Sequence, residues 1–163
     1  MRERVLPFRL PSTPSDGGLL ECRPIEDSLE LAAHFRIRHE VFVLEQHLFA
    51  DSDHDLHDDD VDTVHVLGLV NSIPAGGVRL YPVDDRLWKG DRLAVARQYR
   101  RVGIGRPLVK CAVALAASLG GERMDAQVQV ANVNFFKILG WSCVGEPTQM
   151  FGVPHQHMSI ALG

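Results

Sequence analysis

Apolar and polar positions divide the chain into elements of two periods. Leu19 to Ile25 reads as a first strand. Glu26-Asp27-Ser28 then offers a helix N-cap, and Leu29, Leu31, Ala32 and Phe35 carry a helical pattern towards Ile37. Arg38-x-x-Val41-Phe42-Val43-x-Glu45-Gln46 continues as a second short helix or helical turn. Arg38, Phe42 and Glu45 fall on one face of it, because residues three and four apart are helical neighbours. Strands are predicted over Thr63–Val70, Gly77–Val83 and Leu87–Ala96, the first two joined through Asn71-Ser-Ile-Pro-Ala-Gly-Gly. Ile104, Leu108, Cys111/Ala112, Leu115 and Leu119 give a helix one face of which is buried, with Pro107 in its first turn and Gly120-Gly121 as its stop. Met124, Ala126, Val128 and Val130 alternate with polar residues in a half-buried strand. Asn132–Leu139 is a short helix ended by Gly140, and Trp141–Gly145 and Gln156–Leu162 are two closing strands.

The resulting order is β-α-α-β-β-β-α-β-α-β-β. Three consecutive strands followed by a β-α-β crossover imply a mixed α+β sheet with a right-handed crossover, not a doubly wound parallel one. Residues 1–18, rich in Pro, Ser and Gly, are expected to form a flexible arm, and residues 19–163 a single domain.

Charge changes the picture in one place. The formal net charge is −4, yet residues 51–62 (DSDHDLHDDDVD) hold seven of the 21 acids and no Lys or Arg. Elsewhere 17 basic residues face 14 acids, a balance of +3 that is too mild for a general nucleic-acid binder. Asp51, Asp53, Asp55 and Asp62 match positions 1, 3, 5 and 12 of a calcium loop, but Leu56 stands where the sharp turn needs Gly. A solvated acidic loop is the default reading, and a sharper one is that it attracts cationic amines to an open mouth. Cys22, Cys111 and Cys143 have no metal or disulfide spacing and read as reduced thiols. The N-terminus lacks an apolar signal region, and the stretches free of Asp, Glu, Lys and Arg are too short and too interrupted to span a bilayer. The expectation is a cytoplasmic protein that binds neither metal, membrane nor nucleic acid.

The chemistry concentrates between Arg92 and Gly121. An apolar strand, the basic turn Arg100-x-x-Gly103-x-Gly105 and a helix N-terminus together form an anion site, since glycines allow close approach and the first helical N–H groups lack partners. A Walker loop would need Gly-Lys-Ser/Thr, which is absent, and a dinucleotide fingerprint would need Gly where Leu108 stands. A pyrophosphate held by backbone amides and ringed by Arg97, Arg100, Arg101, Arg106 and Lys110 remains, against the plainer alternative of a basic loop that binds nothing.

Arg92-Leu-Ala-Val-Ala-x-x-x-Arg100-x-x-Gly103-x-Gly105-x-x-Leu108 resembles the acyl-CoA-binding motif of the GNAT superfamily of N-acyltransferases, over roughly residues 19–163. The resemblance implies a mostly antiparallel twisted sheet of about six to seven strands with about four helices and one splayed parallel pair. It implies acetyl-CoA as co-substrate, its pantetheine bonded to the backbone of Leu93, Ala94 and Val95, and an amide near Ala94 or Val95 polarising the thioester. It places the pyrophosphate on Arg100, Arg101, Val102, Gly103, Ile104, Gly105 and Arg106. Asn132 and Phe136 belong to the second cofactor region, where Phe136 replaces a tyrosine that many members use to protonate the leaving thiolate. A phenyl ring cannot do so.

On the acceptor side the chain resembles small, mostly uncharacterised bacterial members, which points to a small-molecule amine held by Arg38, Phe42, Asp55, His65 and Arg79. An amine must lose a proton before attack, and Glu45 is the first candidate base, His155 the second. The plainer alternatives are a Glu45–Arg38 ion pair and structural roles for His155 and His65. A non-catalytic acyl-CoA sensor is one alternative function. An acyl-homoserine-lactone synthase is another, since such enzymes share Arg38-x-x-Val41-Phe42, a spaced acidic run and Arg79-Leu80. A homodimer is left open.

Overall fold

A computed structural model describes residues 13–15 and 18–163. Strand β1 (Thr13–Ser15) pairs antiparallel with the start of β2 (Gly18–Pro24), so part of the expected arm extends the sheet edge. The remainder of that arm, residues 1–12 and 16–17, lies outside the described residues. Helix α1 (Ser28–Arg38) starts where Asp27 accepts the Glu30 N–H at 2.8 Å. It runs without a break into a π-helical turn, His39–Glu45, marked by the Gln46 N–H reaching the Val41 carbonyl at 2.9 Å.

Strands β3 (Val64–Val70) and β4 (Ile73–Pro82) form a hairpin across only two residues, Asn71 and Ser72, at φ 49° and 67°. The longer connection predicted through Gly76-Gly77 is replaced by strand, and packing explains why. A Cβ on Gly76 would meet the Ala94 carbonyl oxygen at 2.8 Å, and one on Gly77 would meet the His34 ring at 2.6 Å. These glycines admit the helices on the two faces of β4; they are not turn residues. β5 (Leu87–Val95) follows, then α2 (Gly105–Ser118), β6 (Arg123–Gln129), α3 (Val133–Ile138), β7 (Ser142–Cys143), β8 (Thr148–Met150) and β9 (Val153–Ala161). β8 was not legible in the sequence; it forms a tight hairpin with the start of β9.

Among the described residues the sheet runs β1-β2-β3-β4-β5-β6-β9-β7, with β8 also on β9, and only the β5–β6 pair is parallel. Six strands have seven residues or more, which is the mixed, mostly antiparallel α+β sheet expected. On one face α2 buries Leu108, Cys111, Ala112 and Leu115 against Val66, Val78, Leu80 and Met124. On the other, α1 and the π-turn bury Ile37, Val41 and Phe42 against Leu67, Leu69 and Ala94. Each Val, Leu, Ile, Phe or Met among them contributes about 1.5–3 kcal/mol of burial. Among the described residues no helix is long and apolar enough to cross a membrane.

Candidate functional site

β5 and β6 are hydrogen-bonded only from Leu87↔Arg123 to Gly90↔Ala126. Past that point β5 stays with β4 and β6 with β9, so the two strands part. The local cause is a bulge: the β4–β5 register shifts between Gly77 and Arg79, and Arg92 sits at φ 53°. Its guanidinium holds that conformation by donating to the Asp53 carbonyl at 3.0 Å and to the Asp53 carboxylate at 3.1 Å. The gap opens into a cavity of about 290 Å³ lined by Gly90, Leu93, Ala126 and Val128. Two lining residues carry buried polar atoms without partners, Gln127 Oε1 and Trp141 Nε1. The lining is mixed: Gly90, Leu93, Ala126 and Val128 lie beside Gln129, Asn132 and the charged Asp55, Lys89, Asp91 and Arg92.

Beyond β5 the chain makes a 3₁₀ turn over Arg97–Val102 and reverses at Gly103, whose φ of 85° favours glycine. α2 then starts with Ile104 as an N-cap that offers no side-chain hydrogen bond, and the Leu108 N–H bonds the Ile104 carbonyl at 3.2 Å. The Gly105 and Arg106 amides precede that first bond, with Arg101 and Arg106 exposed beside them. Arg100 points elsewhere. It donates to the Val95 carbonyl at 3.3 Å and pairs with both oxygens of Glu45, one at 2.5 Å. The Arg100 hydrogen bond holds the Glu45 carboxyl below its ordinary range. Glu45 thus pairs with Arg100, not with Arg38. Next to it Gln46 accepts from Gln129 at 3.0 Å, so the end of the π-turn is tied to both sides of the open strand pair. Asn132 and Phe136 line the cavity, Phe136 buried edge-on against Phe135 and Trp141.

The acidic loop is only partly solvated. Asp51, Asp59, Asp60 and Asp62 are exposed, but Asp53, Asp55 and Asp58 turn inward onto three arginines. Arg38 donates to Asp53 at 2.6 Å and to Asp58 at 2.7 and 2.9 Å. Arg79 donates to Asp55 at 2.6 and 3.0 Å and to Asp91 at 2.8 and 2.7 Å, and Arg92 reaches Asp55 at 3.3 Å. The side chains of Arg38 and Arg79 are 0% exposed. A 3₁₀ turn over Leu56–Asp59, capped reciprocally by Asp55 and Asp58, aims the carboxylates inward. Burial opposes ionisation of Asp58, but hydrogen bonds from Arg38 and the Asp55 amide, with the Arg38 and Arg79 charges, hold its carboxyl well below the usual range.

Behind this network stand two buried histidines. His34 Nδ1 lies 3.1 Å from the Val66 carbonyl, and His65 Nδ1 lies 3.4 Å from His34 Nε2. Burial, then the neighbouring His65 and Arg38 charges, push His34 down to about 3, and burial lowers His65 too. The sequence singled out His65 but not His34, whose only signal was a place one turn before Arg38 on the buried helix face. Phe42, Asp55 and His155 line the cavity, whereas Arg38, His65 and Arg79 do not: Arg79 bonds Asp55 directly, and Arg38 and His65 lie against Asp58, whose carboxylate accepts the Asp55 N–H at 3.0 Å. His155 is buried, with Nδ1 3.0 Å from the Val153 carbonyl. Sequence reasoning missed several lining residues: Phe49, Tyr81, Gln127 and Phe151, and His57, which stacks on Tyr81 at 3.8 Å.

Comparison with known proteins agrees with this geometry. Residues 29–141 match the family described as the acetyltransferase (GNAT) family. The Bacillus subtilis protein YjcF, named as an uncharacterized N-acetyltransferase, is 28% identical over 130 residues, 79% of this chain and 91% of its own. A Lactobacillus plantarum structure provisionally described as an N-acetyltransferase superposes with a TM-score of 0.79 at 23% identity, over 88% of this chain and 99% of its own. The CoA-dependent acyl-homoserine lactone synthase BjaI, solved with SAM and isopentyl-CoA, shares the fold at a TM-score of 0.70 and 24% identity, over 82% of this chain and 76% of its own.

Proposed function

Because the chain belongs to the acetyltransferase (GNAT) family, whose members transfer acyl groups from acyl-CoA, we propose that it moves an acetyl group from acetyl-CoA directly to the amine of a small molecule. The observation that carries this reading is the parting of β5 from β6 after four paired residues, beside a helix N-terminus without a side-chain cap. Past Gly90, β5 has no strand opposite it on its β6 side among the described residues, so a pantetheine amide is proposed to meet the backbone of Leu93, Ala94 and Val95, whose Val95 carbonyl it would share with Arg100. The Val102, Gly103, Ile104, Gly105 and Arg106 amides, with Arg101 and Arg106, take the pyrophosphate.

In the reaction, the neutral amine nitrogen attacks the thioester carbonyl and forms the C–N bond. A β5 N–H near Ala94 or Val95 holds the oxyanion, and collapse breaks the C–S bond to release CoA thiolate. The amine's extra proton leaves through a base. Of the two candidates, His155 is the better placed, since it lines the cavity, while Glu45 is committed to Arg100. Thiolate is a fair leaving group with a pKa of about 8.5, so water can reprotonate it in place of the tyrosine that Phe136 replaces. Asn132 borders the cofactor, Phe42 and Asp55 border the acceptor, Arg79 holds Asp55 in position, and Arg38 and His65 act one step back on Asp58.

A thiol-release screen with acetyl-CoA across arylalkylamines, polyamines and amino acids tests this. The expected result is turnover with one of these classes and its loss in Gly103→Glu, which puts a strained, negatively charged residue in the anion loop. A second reading follows from Phe136: an acyl-CoA-binding domain without turnover. Tight CoA binding with no thiol release from any amine would favour it and overturn the transferase.

A further inference from the structure

The outer end of the cavity is walled by Phe42, Leu48, Phe49, Met150, Phe151 and His155. Two of these form a roof. The Phe49 and Phe151 rings lie 4.6 Å apart at 47°, joining the segment after the π-turn to the β8–β9 hairpin. The Arg92 guanidinium lies 4.8 Å from the Phe49 ring and the His155 ring 6.5 Å from Phe151, so the pair connects the β5 bulge to His155.

Phe151 holds its place against its own backbone preference. Phe151 and Gly152 make the two-residue β8–β9 turn at φ 52° and 77°, the doubly positive geometry that Asn, Asp and Gly fill readily. A bulky residue there is an outlier that costs about 1 kcal/mol or more. Packing of the buried half of the ring on Phe49 offsets this cost, and the other half stays open at the mouth, the residue being 47% exposed. The β3–β4 turn has the same geometry and uses Asn71 and Ser72. An exposed aromatic ring on unfavourable backbone at a cavity mouth is what a ligand-contacting residue looks like.

Charge does not compete with this roof. Among the cavity-lining residues Asp55 and Asp91 are balanced by Arg92 and Lys89, and both aspartates are bonded to arginines. A polycation finds no surplus of carboxylate there, and an amino acid finds no surplus of cation. Recognition falls to flat apolar contact.

We propose that the acceptor is an amine with a flat apolar body, an aryl- or arylalkylamine, whose ring packs beneath Phe49 and Phe151; the assignment rests on the transferase reading for the reaction but not for the binding. The test compares 2-phenethylamine and tryptamine with putrescine, spermidine and α-amino acids as acceptors. It also measures calorimetric binding of 2-phenethylamine and of putrescine to the CoA-loaded protein. The aromatic amines should show the highest kcat/KM. Phe151→Gly should raise their KM about tenfold, as expected for loss of one aromatic contact, with the acetyl-CoA KM unchanged and the Tm unchanged or higher. Phe49→Ala should raise the same KM. A merely structural Phe151 would instead lower the Tm and leave the amine KM alone, and that overturns the proposal. So does preference for putrescine, spermidine or an amino acid, in which case the transferase reading survives. Saturable phenethylamine binding that Phe151→Gly weakens, without transfer to any amine, supports the aromatic site and sinks the transferase reading. Absence of both binding and transfer for the aromatic amines overturns the proposal.

Discussion

Around Gly103, beside the cavity, the groups offered to a ligand are backbone: amides at the start of α2 and the unpaired side of β5. At the Asp55 end they are side chains, brought together from α1, the 51–62 loop, β4, β5 and the β8–β9 hairpin. The first end needs only glycine, a strand and a helix start in sequence, and so tolerates almost any neighbours. The second is a closed set in which Arg38, Arg79 and Arg92 each answer an aspartate from a distant segment. The two ends are vulnerable in different ways. Backbone sites fail by steric or charge intrusion, and the fold survives. Side-chain networks fail by losing one partner, and the fold pays.

Arg79→Ala gives the largest break. It leaves Asp91 and Asp55 without their principal cation and an empty space where a fully buried side chain stood. Removing one partner of a buried pair costs about 3–5 kcal/mol, which in a chain of this size lowers the Tm by roughly 10 °C. Urea unfolding checks it, and a loss below about 1 kcal/mol would show the network to be surface-like.

Acid supplies the next perturbation. His34 is held neutral by burial down to about 3, so between its unfolded value of about 6.5 and that point the unfolded chain binds more protons. Its contribution is therefore complete above about pH 6.5 and is lost as pH falls towards 3. The urea midpoint should fall between pH 7 and pH 5, and His34→Gln should flatten that slope. An unchanged slope would place the acid sensitivity elsewhere.

The smallest effect is expected from Glu45→Gln. It releases Arg100 next to the anion loop and should shift the acetyl-CoA KM a few-fold, with kcat near wild type, because half-exposed pairs contribute about 0–1 kcal/mol. A hundredfold fall in kcat would instead make Glu45 the base.

The same division explains what the sequence disclosed. Periodicity located the six longer strands, α1 and α2, because each buries apolar side chains against one or both of the cores on the two sheet faces. The Gly103 turn was legible for the same local reason. The inward turn of Asp53, Asp55 and Asp58 was not, since nothing within DSDHDLHDDDVD indicates that three arginines lie 15 to 39 positions away in the chain. Gly76-Gly77 misled because two glycines signal a turn locally, yet here they admit Leu108 and His34. Phe151-Gly152 was invisible for the opposite reason: Phe is a poor turn former, and the hairpin is imposed by its pairing with β9.

Acyl transfer requires that the gap between β5 and β6 receive a CoA thioester. Calorimetric titration of CoA into the wild-type chain and into Gly103→Glu, with circular dichroism to confirm folding, tests that most directly. One saturable site per chain in the wild type, and a loss of affinity of at least about a hundredfold in the folded variant, is the result expected from a backbone anion site. No binding to the wild type, or equal binding to both, would contradict it.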